Sequence, residues 1–203
     1  MTIYALSSGP GISGIAVIRV SGEKSKKILS SLTEKPLPKK RIATLKKIKN
    51  NINNEIIDEG IVIWFPGPNT YTGEDMVEFH VHGSKAVIDD LQNVLSKFDG
   101  CRLVEPGEFT KLAFQNNKIN LLKAESIGDL IHSETEIQRK QAIKIMKGKS
   151  SEKFNQLREK LLKTLSFVEA KIDFPEEDLP EENLKKIKHD SSNVLNEINK
   201  ILN

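Results

Sequence analysis

The sequence predicts an α+β protein. A mixed-sheet α/β domain occupies residues 1–117, and an α-helical bundle domain occupies 118–203. Two observations predict this. In the first part, runs of β-branched residues are separated by Gly- and Pro-containing turns. In the second, apolar residues recur every three or four positions. Only 5% of the 203 residues are aromatic, so the core must be built mainly from Ile, Leu and Val.

The elements follow in order. TIYAL (2–6) and IAVIRV (15–20) read as strands. Residues 23–32 suit a short helix with Ile28 and Leu32 on one side. Residues 41–48 and 56–65 read as two strands joined by the NNINN region. The second, IIDEGIVIWF, is nearly continuous in apolar residues and is expected to lie centrally in the sheet. PGPN (66–69) ends it. A strand follows over 76–82. Gly83 and Ser84 then open a helix whose inner face is Val87, Ile88, Leu91, Val94, Leu95 and Phe98. Residues 101–104 suit one more short strand, and Pro106-Gly107 precedes a helical turn at 108–115.

From about residue 118 the pattern is helical. Leu121, Ala124, Ile127, Leu130 and Ile131 share a spacing, as do Phe154, Leu157, Leu161, Leu165, Val168 and Ile172. Leu184, Ile187, Val194, Ile198 and Ile201 form a third series with Ser191 in its seam. Between the last two, DFPEEDLPEE (173–182) carries six acids and two prolines, a break and a solvated loop.

Composition excludes several classes. Cys101 is the only cysteine, so no internal disulfide forms, which fits a reducing compartment. MTIYALSSG has no basic segment or long apolar run and reads as no signal peptide. No window approaches the roughly 18 apolar residues of a membrane span. A cytoplasmic protein with no membrane partner is expected. The net charge of +3 does not by itself imply nucleic acid.

Two glycine motifs are misleading. Gly9-Pro10-Gly11-Ile12-Ser13-Gly14 matches G-x-G-x-x-G, but a strand follows it, where a dinucleotide site needs a helix N-terminus. Gly148-Lys149-Ser150 resembles the end of a P-loop. The required earlier glycine is Ile143, however, and the preceding residues 137–147 read as helix. A helix break is the better reading.

The chemistry concentrates in GEDMVEFHVHGS (73–84). Val77, Phe79 and Val81 alternate with Glu78, His80 and His82, so one strand face carries a carboxylate and two imidazoles. His80 and His82 share a face and could bind one zinc ion, but His132 and His189 lie in predicted helices with no ligand at a familiar metal spacing. No G-x-S-x-G is present, and Cys101 has no assigned base, which disfavours nucleophilic catalysis.

Three stretches, in this order, carry a resemblance: GPGISGIAVIRVSG (9–22), FPGPNTYTGEDMVEFHVHGS (65–84) and EPGEFTKLAFQNNKINLLKAES (105–126). Together with DFPEED (173–178), they resemble the N-terminal part of the MnmE (TrmE) family of tRNA-modification GTPases. The resemblance implies a folate-binding and dimerising α/β domain, similar to that of the glycine-cleavage T protein. The start of a helical domain follows, incomplete because an inserted G domain and the closing helices lie beyond it. The implied ligand is a tetrahydrofolate derivative, in the 5-formyl or 5,10-methylene form. The implied partners are a second copy of the chain, the flavoprotein MnmG and tRNA. The implied reaction adds an aminomethyl-type (carboxymethylaminomethyl) group to C5 of the wobble uridine. GTP, potassium and magnesium belong to the G domain, whose motifs are absent here, so these 203 residues are not expected to hydrolyse GTP alone.

By motif matching, the folate contacts are Arg19 in AVIRVSG, Glu78 in DMVEFHVHG and Lys118 in NNKINL, with His80 and His82 as pocket lining. The chemistry agrees. A carboxylate accepts two adjacent donors of a pterin edge, and cations suit folate's anionic tail. The chain departs from the family pattern at Ile12, Glu105 and Leu112, where arginines are usual, and at Asn120, where an aspartate is usual. Three lost cations weaken the expected pull on an anionic ligand. A competing reading is an RNA-binding or scaffold module. Residues 138–163 carry nine Lys/Arg against two Asp/Glu, a stripe suited to phosphates. Exposed apolar surface is expected along Leu157, Leu161, Leu165 and Val168.

Overall fold

The computed structural model describes residues 1–173 and 181–202 and divides into two compact units, Met1–Ala124 and Glu125 onward. The first is built on β1 (Thr2–Leu6), β2 (Ser13–Ser21), β3 (Thr44–Lys49), β4 (Ile56–Phe65), β5 (Met76–Gly83) and β6 (Cys101–Leu103). They form one sheet in the order β3-β4-β5-β2-β1-β6. Only the β1–β6 pair is parallel.

Period-two alternation divides the sheet's faces. On the first face, Tyr4, Ile18, Val20, Val62, Trp64, Val77, Phe79 and Val81 form a fully apolar core with α1 (Ser25–Leu32) and α2 (Lys85–Ser96). α1 contributes Ile28, Leu29 and Leu32, and α2 contributes Leu91, Val94 and Leu95. Each such burial stabilises by about 1.5–3 kcal/mol. α2 begins as its sequence predicts, with the Ser84 hydroxyl accepting the Val87 N–H at 3.2 Å.

β4 is internal, between β3 and β5. It is, however, buried on one face only. Gly60, Val62 and Trp64 face the core, whereas Ile61 is exposed and Ile63 half-buried. Its continuous apolar run therefore does not signal two covered faces. Gly60 is required because a Cβ there would strike the His80 carbonyl.

The second face is covered at one end only. Registers place Ile3, Ser21 and Met76 in one row, Ala5, Arg19, Glu78 and Ile63 in the next, and Val17, His80, Ile61 and Leu45 in the third. The first row is buried. In the second row Arg19, Glu78 and Ile63 are half-buried, and Leu45 and Ile61 of the third are exposed. The cover comes from the loop 66–75 and α3 (Glu108–Gln115). Asn116 Nδ2 donates to the Thr72 carbonyl at 2.7 Å, and Tyr71 Oη meets Thr110 Oγ1 at 2.8 Å. The buried hydroxyls of Ser21 and Thr72, 2.7 Å apart, join the loop to β2.

The glycine-rich 9–14 stretch turns β1 into β2, a strand-to-strand connection as its sequence implies. α4 (Leu121–Ile131) starts with the Asn120 carboxamide oxygen accepting the Lys123 N–H at 2.9 Å, so asparagine supplies the cap an aspartate would give.

The helical unit contains the rest of α4, α5 (Glu136–Met146), α6 (Lys149–Asp173) and α7 (Glu181–Leu202). α5 opens with a capping box in which Thr135 and Gln138 satisfy each other's backbone N–H groups. It ends at Gly148, whose φ of +86° breaks the helix where the P-loop-like triplet stands. α6 packs on α5 and on α7. Leu157, expected to be exposed, is 4% exposed and buried, as are Thr164 and Val194. Leu161 and Leu165 are 48% and 50% exposed, as expected, because they lie off the packed stripe. Ser191 is exposed rather than part of a buried seam. Most of the acidic loop read over 173–182 falls on residues 174–180, outside those described, as does the side chain of Leu184. Among the described residues no helix is long and apolar enough to cross a membrane.

Candidate functional site

The site forms where the covered end of the sheet's second face gives way to the open end. Arg19 and Glu78 are direct cross-strand neighbours on β2 and β5. Their side chains are 25% and 15% exposed. Arg19 donates twice to one oxygen, Glu78 Oε1, from Nε at 3.0 Å and Nη2 at 2.7 Å. The other oxygen, Oε2, lies 3.3 Å from His80 Nε2. Charge-assisted bonds of this kind contribute about 1.5–3 kcal/mol each when shielded from water.

Two aromatic rings flank the Arg19 guanidinium. The guanidinium carbon of Arg19 lies 5.5 Å from the ring centres of Tyr71 and Phe109. Neither ring was singled out from the sequence. Their signal was position alone, since they lie inside two of the three stretches that carried the resemblance, at FPGPNTYTGED and EPGEFTKLAF. α3 holds Phe109, and its first turn is fixed by a second ion pair. Arg102 Nη1 meets Glu108 Oε2 at 2.8 Å, Arg102 Nη2 pairs with Oε1, and the Glu105 N–H donates to Oε2 at 2.8 Å. The bond from Arg102, outweighing burial, holds the Glu108 carboxyl down at about 2.

The remaining sequence candidates separate. Lys118 is exposed. Its stem lies against Gly73, where a Cβ would come within 2.9 Å of Lys118 Cε. Gly73, at φ +85°, is two residues beyond Tyr71, so Lys118 borders the same loop without joining the Glu78 cluster. Its ammonium pairs with no carboxylate among the described residues. His82, expected to line the pocket with His80, turns instead to Asp58. Its Nδ1 lies 2.9 and 3.1 Å from the two carboxylate oxygens, and its N–H donates at 2.7 Å. Burial pushes the Asp58 carboxyl up, but the N–H and ring of His82 and the N–H of Glu59 outweigh it, leaving it below its ordinary value. Among the described residues no group of His, Cys, Asp and Glu could hold a metal ion.

Of the departures, Ile12 lies apart from the cluster and Asn120 caps α4. Ile12 precedes β2 at the end opposite Arg19, about 20 Å along the strand. It lines an apolar hollow with Leu6, Pro10 and Ile88. Glu105 is exposed and Leu112 half-buried. Along the basic stripe of 138–163, Lys140, Arg158 and Lys160 pair with Glu136, Glu159 and Glu197, which lowers its free charge. Burial raises the Cys101 thiol to about 11.

Fold and site together define a mixed-sheet domain with a carboxylate-centred cluster of side chains, joined to a helical domain. Residues 2–118 match the model for the GTP-binding protein TrmE N-terminus, and residues 121–203 match that for the MnmE helical domain. The chain belongs to the MnmE/TrmE family. It is 69% identical over 202 residues to the tRNA modification GTPase MnmE of Pelagibacter ubique, covering all of this chain and 46% of that protein. Over the same length it is 47% identical to the MnmE of Rickettsia bellii and 45% to that of Rickettsia typhi, with 45% of each covered. It thus spans about half the length of the curated relatives it matches.

Proposed function

We propose that this chain serves tRNA modification by binding a tetrahydrofolate derivative, as one-carbon donor, at the cluster around Glu78. The observation that carries this is a half-buried carboxylate on the sheet, paired with a guanidinium that two aromatic rings flank. A pterin is flat and presents adjacent N–H donors, which suits both features. Arg19 and Lys118 are the proposed partners of the folate's anionic or carbonyl groups, and His80 steadies the Glu78 carboxylate.

The wider reading rests on the relatives, which are named tRNA modification GTPases. We assign GTP hydrolysis, with its potassium and magnesium, to the part of the family's length these residues do not span. Dimerisation through the sheet domain, partnership with the flavoprotein MnmG, cytoplasmic location and action at C5 of the wobble uridine belong to the same proposal. Titration calorimetry with 5-formyl-tetrahydrofolate tests the folate step. Micromolar-range binding is expected, weakened at least about tenfold in Glu78→Ala through the loss of two charge-assisted bonds. Absence of heat with the unsubstituted chain overturns it.

A further inference from the structure

We propose that, in the ligand-free chain, the Arg19 guanidinium is an internal stand-in for the ligand's ring edge, and that a ligand enters by displacing it. The inference rests on the folate reading for the ligand's class, but its chemistry is visible in the site itself.

Glu78 is already engaged. Both donors of Arg19 converge on Oε1, and His80 approaches Oε2. A carboxylate oxygen offers two lone-pair sites, and Arg19 fills both on Oε1, so a fork-shaped ligand edge that needs one donor on each oxygen cannot bind while Arg19 holds it. The 2-amino-pyrimidinone edge of a pterin is itself a cyclic guanidine, a flat N–C–N unit with N–H groups on one side. A crevice made of one carboxylate and two aromatic rings receives a guanidinium and that edge by the same interactions. The two occupants are therefore mutually exclusive.

The walls stay while the occupant moves. Tyr71 is held by Thr110, its loop by Ser21 and Asn116, and Phe109 by the helix whose first turn Arg102 and Glu108 fix. None of these bonds involves Arg19. Arg19 itself is a long side chain with a quarter of its surface in water, so it can leave without unfolding anything. Once displaced, it is free to meet an anionic tail. Arg19 thus opposes binding of the ring and favours binding of the tail, which selects tail-bearing ligands. The apparent affinity for a bare ring is reduced by the fraction of time Arg19 occupies the crevice.

The test compares a reduced pterin lacking the glutamate tail with 5-formyl-tetrahydrofolate, by calorimetry. Arg19→Ala, and Arg19→Met as a variant that keeps the apolar stem, should bind the tail-less pterin about fivefold or more tighter than the unsubstituted chain. 5-formyl-tetrahydrofolate should gain less, or weaken. Methylguanidinium should refill the vacated crevice and compete with the pterin, and a further Glu78→Gln change should remove binding of both. If both variants bind the tail-less pterin no tighter than the unsubstituted chain, Arg19 is a contact only and the inference fails while the folate reading stands. If no protein binds pterin or folate, the folate reading fails. Methylguanidinium binding to Arg19→Ala, lost with Glu78→Gln, then still supports the stand-in crevice, and its absence overturns it.

Discussion

The two units of this chain solve the burial of apolar side chains differently. The sheet unit closes a core of its own. Phe79, Ile18, Ile28, Leu29, Leu91 and Leu95 are each shut off from water between one sheet face and two helices. In the helical unit Ala142, Leu157 and Val194 are buried, while Phe154, Leu161, Leu162, Leu165 and Leu195 remain exposed along the same helices. A sheet offers a broad surface that two helices can cover. A pair of antiparallel helices shares only one narrow stripe, and every apolar residue off that stripe stays wet. Local periodicity is therefore a good guide to burial in a sheet and a poor one in an under-packed helical pair.

The largest expected effect lies in the cores. Phe79→Ala should cost about 3–5 kcal/mol in urea unfolding, and Leu157→Ala about 2–4 kcal/mol, since each leaves a cavity. Leu161→Ala and Leu165→Ala should each cost less than about 1 kcal/mol, because they remove surface already in water. Comparable losses at Leu157 and Leu161 would erase the contrast. So would a hydrophobic dye that stays dark in the presence of the native chain.

A smaller effect separates the units by how far a local loss spreads. Ser84→Ala removes the cap of α2, which is packed into the sheet core, and should lower the cooperative transition by about 1 kcal/mol. Thr135→Ala breaks the capping box of α5, of whose residues Ala142 alone is buried. Its expected signature is faster amide exchange confined to α5, with the sheet unit's transition unmoved. Exchange that quickens throughout the sheet would show the two units to be one cooperative body.

The smallest effect is electrostatic. The Glu108 carboxyl, held near 2 against an ordinary 4.5, is depressed by folding. Its contribution is therefore complete above about pH 4.5 and is lost as pH falls towards 2. Unfolding of the sheet unit followed across that window should lose stability more steeply for the native chain than for Glu108→Gln. Parallel curves would remove Glu108 from the account of how α3, and with it Phe109, is held.

Much of the candidate site was legible from residue order. The alternation through Val77, Glu78, Phe79 and His80 put Glu78 and His80 on one face, and motif matching singled out Arg19. What pattern could not supply was pairing. That Arg19 faces Glu78 depends on the antiparallel register of β2 on β5, set by contacts 59 residues apart. His82 shares the parity of His80 yet serves Asp58, because β4 brings an acceptor to that end of the strand. Tyr71 and Phe109 carry no periodic signal. A loop and a helix of separate origin bring them together, joined by the Tyr71–Thr110 bond.

Residue order alone determined where the strands and helices lie, that one glycine-rich stretch joins two strands and the other breaks a helix, and which family the chain resembles. Those features depend on side-chain type and on neighbours a few positions away. Tertiary structure alone decided which face of β4 is buried, that Leu157 is covered while Leu161 is not, and that Glu78 is engaged by Arg19. Each depends on which distant surface arrives to exclude water or offer a partner, and no spacing within a single segment encodes that.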